Sequence, residues 1–435
     1  MRACHPVQIR GRISGVSGLI VDVDGLNGLA SIGDRLTLID RMNRPTDAEV
    51  VGFRDQRAQA MPFGALDGIG PGHAAAWRSA QGATLSVADE WLGRIIDPLG
   101  NPADGKGALP DGAHPRPIRA APPPAASRAR LGPRIDLGVA AMNCFATCRQ
   151  GQRLGLFAGS GIGKSTLLAM LARETACDAV VLALVGERGR EVREFIEDDL
   201  GPEGLARSVA VVATSDAPPL MRRQAALAAM TVAEHFRDQG KSVLLLMDSV
   251  TRFCLAQREI GLSTGEPPAT RGYPPSVFAE LPKLLERAGP GIEQPDGSAG
   301  HITALFTVLV EGDDHNEPIA DAARGILDGH VILDRRIAET GRYPAIDVLR
   351  SLSRAASGCL SADEIGLIRR ARQILSVWTE SADLVRLGAY RDGSDPAVDE
   401  ALILAPRINA FLTQDRHARV ALDDAFAQLA DAMRM

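Results

Sequence analysis

Cysteine is scarce in this 435-residue chain, and its six copies stand apart at Cys4, Cys144, Cys148, Cys177, Cys254 and Cys359. None forms a C-x-x-C pair, which argues against zinc ligation and against a disulfide framework and leaves reduced, mostly buried thiols. Aromatic residues make up only 4% of the chain, and Lys and Arg (48) are outnumbered by Asp and Glu (54), for a net charge of −6. Neither a basic surface nor a set of stacking rings is on offer, so a nucleic-acid-binding protein is a poor reading. No apolar run reaches the roughly 18 residues that suggest a membrane span. The opening MRACHPVQIRGRISG has no apolar core of signal-peptide type. The expectation is a cytoplasmic protein with a sizeable core, since hydrophobic residues still make up 45%.

What is present falls into three textures, and the length suits two or three domains. From residue 7 to about 85, short runs such as VQIRGRISG, GLIVDVDG and GDRLTLID alternate apolar and polar residues between glycines. That pattern predicts a small β-barrel or sandwich. Nine prolines between Pro98 and Pro133 exclude regular helix or central strand there and predict a surface linker. Compact apolar runs follow: RLGLFA (153–158), AVVLALVG (179–186), SVAVVAT (208–214), SVLLLMD (242–248) and ITALFTVLV (302–310). Such runs suit strands buried on both faces, and the helix-like stretches between them predict a doubly wound α/β domain. From about residue 356, apolar residues recur at helical spacing, as in INAFL and ARVALDDAFAQLADAM. The expected division is therefore a barrel over 1–90, a parallel-sheet nucleotide-binding core over 91–355 that includes the linker within 91–150, and a helical domain over 356–435.

GLFAGSGIGKST carries the chemistry. An apolar strand runs into Gly159, Ser160, Gly161, Ile162 and Gly163, then Lys164, Ser165, Thr166 and a helix. Only glycine lets main-chain N–H groups approach a phosphate chain this closely, and the helix N-terminus adds its positive dipole end. In this pattern Lys164 reaches the β- and γ-phosphates and the Ser165 hydroxyl ligates Mg²⁺. The first position of the G-x-x-x-x-G-K-[ST] pattern is Ala158 rather than glycine. Asp248 ends the run SVLLLMD at the carboxyl edge of the predicted sheet, where open α/β sheets bind ligands, and is the second candidate for the metal. Glu187, in VGERGRE after another strand, is the candidate for orienting and polarising the attacking water.

Several stretches carry a resemblance. GERGREV, LLLMDSVTR, TRGYPPSVFAELPKLLERAG, EGDDHNEPIADAARGILDGHVIL and YPAIDVLRSLSR are similar to the catalytic-type chains of the rotary ATPase α/β superfamily. Within it they most resemble the flagellum-specific type III export ATPases (the FliI family). The resemblance runs from about Leu92 to Arg354 and implies a RecA-like core that binds ATP and Mg²⁺. It makes Glu187 the catalytic carboxylate, Arg188 its neighbour, Arg252 a phosphate-side arginine and Tyr343 the ring that stacks on adenine. Arg354 becomes an arginine finger offered to the next subunit of a homohexamer. Asp313 and Asp314, within EGDDHNE, fall on a loop that faces a central coiled-coil stalk.

Further partners implied by the family are a dimeric stator-like regulator, export-gate membrane proteins, export substrates and their chaperones, with peripheral attachment at the inner-membrane export apparatus. The family's amphipathic segment ahead of the barrel has little room here, because the first strand-like run begins by Val7. The regulator then docks elsewhere or through a reduced segment. Three alternatives stay beside flagellar export: an injectisome ATPase, the catalytic chain of a rotary ATP synthase, and a non-catalytic ring subunit. Glu187 speaks against the last, and GSGIGKS in place of the rotary GGAGVGKT form favours export.

Overall fold

Apolar–polar alternation in the first part of the chain closes into a barrel. A computed structural model describes residues 9–78, 83–310 and 317–434. Val7, Cys4, Asp313 and Asp314 lie outside those residues. The barrel is built from β1 (Arg10–Ser17), β2 (Ile20–Asp24), β3 (Arg35–Ile39), β4 (Pro45–Arg54), β5 (Arg57–Pro62) and β6 (Ala74–Trp77). These pair in the order β1-β2-β5-β4-β3-β6 and back to β1. Every second residue points inward, so Val21, Val23, Leu36, Leu38, Val50 and Ala60 fill the interior.

After the barrel come β7 (Thr84–Leu85), β8 (Arg94–Ile96) and β9 (Arg116–Pro117), of which β7 and β9 form a two-residue ribbon. The remaining strands are β10 (Arg153–Ala158), β11 (Ala179–Glu187), β12 (Ser208–Thr214), β13 (Ser242–Asp248), β14 (Gly289–Pro290), β15 (His301–Leu309), β16 (Gly329–Ile332) and β17 (Leu352–Ser353). They assemble in the order β17-β16-β10-β15-β13-β11-β12-β8, parallel from β16 to β8 with β17 antiparallel at the edge. The five apolar runs are strands because both of their faces are covered. Leu154, Leu156, Leu182, Leu184 and Leu246 pack on one side, with the helix Lys164–Glu174 and the C-terminal helices. Val181, Ala183, Val185, Leu245 and Met247 pack on the other, with the helices Pro219–Arg237, Val250–Ser263 and Pro275–Glu286.

The proline-rich stretch is more than a surface strap. Ile118 is buried, and its carbonyl accepts a 2.7 Å hydrogen bond from Arg287, which also forms a two-pronged pair with Glu234 at 2.9 and 2.7 Å. A second buried cluster joins barrel to core. Glu49 of β4 is 1% exposed and receives Arg223 of the helix Pro219–Arg237 at 2.5 Å and Arg119 of the linker at 2.7 Å, with Arg35 of β3 at 4.0 Å. The C-terminal part is helical over Ala362–Arg386, Pro396–Leu412 and Leu422–Ala432. The first of these opens on a capping box between Ser361 and Glu364. Among the described residues no helix is long and apolar enough to cross a membrane.

Candidate active site

The loop between β10 and the helix Lys164–Glu174 stands at the carboxyl edge of the parallel sheet. Gly161 and Gly163 have φ of 75° and 85°, in the left-handed region where a side chain is strained. Ile162 between them is 1% exposed and anchors the loop in the core. A Cβ on Gly163 would come within 3.2 Å of the Tyr343 ring, so Tyr343 lies against the loop while 44% exposed.

Three charged side chains meet beneath the loop. Lys164 Nζ lies 2.6 Å from Asp248 Oδ1 and 3.3 Å from Glu187 Oε1. Thr307 Oγ1 donates a 2.7 Å bond to the same Asp248 Oδ1. Glu187 reaches this point because β11 bulges at its end: Val185 pairs with Ala213 but Glu187 with Thr214. Gly186 at the bulge has φ 72°, and a Cβ there would come within 3.1 Å of the Arg252 side chain. Burial works against the Lys164 ammonium, yet Asp248 and Glu187 outweigh it and raise its pKa above the ordinary lysine value. Burial and then the Asp248 charge push the Glu187 carboxyl above the usual carboxylate range, with Lys164 opposing.

A cleft of about 710 Å³ holds Gly159, Ser160, Gly161, Gly163, Lys164, Ser165, Thr166, Glu187, Arg188 and Arg252 together. Arg252 follows the N-cap Ser249, whose hydroxyl accepts its main-chain N–H at 3.2 Å. Its Nε is buried without a hydrogen-bond partner, as suits a group that faces a ligand. Arg188 is solvent-exposed and bonded to Glu191 at 3.0 Å. Arg354 does not join this cleft. It is an exposed residue just after β17. Buried bonds fix the base of that strand: Ser353 Oγ donates to the Thr147 carbonyl at 2.7 Å and accepts from Gln152 Nε2 at 2.8 Å.

Sequence reasoning missed Thr307, Gly186 and Arg335, the last of which also lines the cleft. Thr307 reaches the site through strand register, which leaves no local signal. Gly186 is the exception, since a glycine breaking an apolar strand run marks a bulge.

The donor set fits Mg²⁺. The ion favours oxygen ligands, and its sites commonly use one or two carboxylates with substrate phosphates instead of an all-protein cage. Ser165 offers a hydroxyl in the cleft. The Lys164 and Thr307 bonds both fall on Asp248 Oδ1, which leaves Oδ2 for a cation. Among the described residues there is no larger cluster of His, Cys, Asp and Glu that could hold a metal ion.

Comparison with known proteins covers nearly all of the chain. Residues 138–353 match the model of the ATP synthase alpha/beta family, nucleotide-binding domain, and residues 13–75 match that family's beta-barrel domain. Residues 360–431 match the T3SS EscN ATPase C-terminal domain. A flagellum-specific ATP synthase of Caulobacter vibrioides is 56% identical over 99% of this chain and 97% of its own length. The corresponding protein of Salmonella typhimurium is 46% identical over 96% and 92%. Among solved structures, the assembled ATPase EscN from the enteropathogenic E. coli type III secretion system superposes with a TM-score of 0.88 at 38% identity, covering 98% of this chain and 100% of that one. EscN in complex with its central stalk EscO gives a TM-score of 0.86 at 39% identity, with the same coverage of both chains.

Proposed function

This chain belongs to the ATP synthase alpha/beta family, in the branch of the flagellum-specific ATPases, and from that premise we propose that it hydrolyses ATP as a homohexameric ring that energises type III protein export for flagellar assembly. The observation that carries the catalytic reading is the Lys164 ammonium set between Asp248 and Glu187 under a glycine loop. The loop N–H groups and Lys164 bind the β- and γ-phosphates and orient the terminal phosphorus. Mg²⁺ held by Ser165 and Asp248 would supply positive charge to the phosphate oxygens. Glu187 takes a proton from water as the water oxygen bonds to the γ-phosphorus. The bond to the β–γ bridging oxygen breaks, and its electron pair leaves with ADP. Arg252 faces the phosphate side and Arg188 flanks Glu187, while Tyr343, lying on the loop, stacks on adenine.

Arg354 stands outside its own subunit's cleft, which supports a role in the neighbour's site. A ring in which each chain lends Arg354 to the next explains why one sequence carries both Glu187 and an arginine finger. The solved stalk complex supports a coiled-coil stalk in the ring's channel. A stator-like regulator dimer, export-gate membrane proteins, export substrates and chaperones complete the expected partners, at the cytoplasmic side of the inner membrane.

The test replaces the chromosomal copy with Glu187→Ala and compares secreted proteins. Loss of hook and flagellin with normal energy metabolism is the expected result. Loss of virulence effectors instead would move the assignment to an injectisome. Unchanged secretion with failed membrane-driven ATP synthesis would overturn the export reading.

A further inference from the structure

A loop that cradles phosphate turns its N–H groups inward, so its carbonyls face out. Outward carbonyls on a glycine-rich loop are ordinarily left to water, and the loop is free to leave the binding conformation. Here one of them is held. Arg335 Nη2 donates a 3.0 Å hydrogen bond to the Ser160 carbonyl. No other side chain hydrogen-bonds the main chain of 159–163 among the described residues, and a Cβ on Gly161 would meet nothing within 4 Å.

The anchor of that arginine is itself tied to the strand that carries the loop. Arg335 opens the short helix Arg335–Glu339, whose N-cap Asp334 accepts the Arg336 N–H at 2.7 Å. One residue earlier, the Leu333 N–H donates to the Phe157 carbonyl of β10 at 2.9 Å, and Asp334 N–H donates to the Ala345 carbonyl at 2.9 Å. The base of Arg335 and the base of the loop therefore move as one, and the guanidinium spans the gap to Ser160. Arg335 also borders the same cleft as Lys164 and Arg252.

We propose that Arg335 is a positioning residue for the phosphate loop, holding the Ser160 carbonyl outward so that the loop is set for phosphate before nucleotide arrives. The proposal rests on the nucleotide-site reading above. Arg335 bonds the loop and not the reacting atoms, so its loss lowers the fraction of chains in the binding conformation. Apparent affinity falls by that fraction, for ADP as much as for ATP, while turnover at saturation is spared.

The test measures ADP and ATP binding by titration calorimetry, and kcat and KM, for the full chain carrying Arg335→Met or Arg335→Lys. Arg335→Met is expected to weaken both nucleotides by about tenfold with kcat within about twofold, the pattern of lost pre-organisation. Arg335→Lys keeps a charged hydrogen-bond donor and should recover most of the affinity. Hydrogen exchange at 159–163 without nucleotide should speed up in Arg335→Met while exchange in β10 does not, which separates loop control from a general loss of fold. Unchanged affinity and exchange would overturn the proposal. A kcat loss with ADP binding intact would also overturn it, and would make Arg335 a transition-state residue. Lys164→Ala serves as the control: if that variant binds ADP normally, the nucleotide-site reading fails whatever Arg335 does.

Discussion

Two charge clusters in this chain are opposite in sign. Under the loop one cation, Lys164, stands between two carboxylates, Asp248 and Glu187. At the joint of barrel and core one carboxylate, Glu49, stands among three guanidinium groups, Arg223, Arg119 and Arg35. The joint is closed: Glu49 is 1% exposed, and its contacts tie β3, β4, the linker and a core helix together. The loop cluster is open to a cleft, and its three members carry one more carboxylate than cation, with Arg252 in the same cleft. An excess of cation holds a buried carboxylate ionised and makes a structural tie, whereas an excess of carboxylate leaves a place for an incoming cation.

The largest effect should come from removing the cations proposed to serve the open cluster, its own Lys164 and the Arg354 of a neighbouring chain. If Arg354 is the finger proposed above, Arg354→Ala withdraws it from the neighbouring site, and kcat is expected to fall about 10³- to 10⁵-fold. Lys164→Ala should be inactive as well, for a different reason. Mixing the two inactive variants sharpens the comparison. A Lys164→Ala subunit still offers Arg354, and an Arg354→Ala subunit still has an intact loop, so mixed rings should regain steady-state ATPase activity. Mixtures no more active than either variant would show that Arg354 does not complete a neighbour's site.

The same contrast explains what could be read without coordinates. The five core runs were legible because burial on both faces writes itself as unbroken apolar sequence, and the loop was legible because its chemistry is local. β8 and β16 were not, since Arg94–Ile96 is three residues long and β16 mixes Gly329 and His330 into four. Thr307 joins Asp248 only because β13 and β15 pair with Met247 opposite Phe306. Glu49 meets Arg223 across a separation of 174 residues. A polar residue placed by tertiary register has no signature in its own neighbourhood, so the closed cluster was invisible and the open one only partly seen.

A middling effect is expected at the closed cluster. Glu49→Gln leaves Arg223 buried without its ion-pair partner, and removing one partner of a buried pair costs about 3 kcal/mol or more. The urea midpoint should drop accordingly. ADP affinity should stay within about twofold, because the change is remote from the cleft. A loss of affinity equal to the loss of stability would mean that the joint also sets the site.

The smallest effect, and the sharpest separation of the two clusters, is in the sign of their pH dependence. Burial disfavours the Glu49 carboxylate, but Arg223, Arg119 and Arg35 outweigh it and hold its pKa below the ordinary 4.5. Its contribution to stability is thus complete above pH 4.5 and is lost as pH falls through the lowered folded value. Glu187 is shifted the other way, above 4.5, by burial and Asp248. The folded chain then binds more protons at this site than the unfolded one between the two values. Its contribution is full below 4.5 and is lost as pH rises through the raised folded value. Melting temperatures of wild type, Glu49→Gln and Glu187→Gln, without nucleotide or metal, should therefore diverge in opposite directions. The Glu49→Gln deficit shrinks toward acid, while Glu187→Gln gains on wild type as pH rises above 4.5. Parallel slopes would mean that Lys164 alone neutralises the open cluster, and that the cleft has no charge vacancy for a metal to fill.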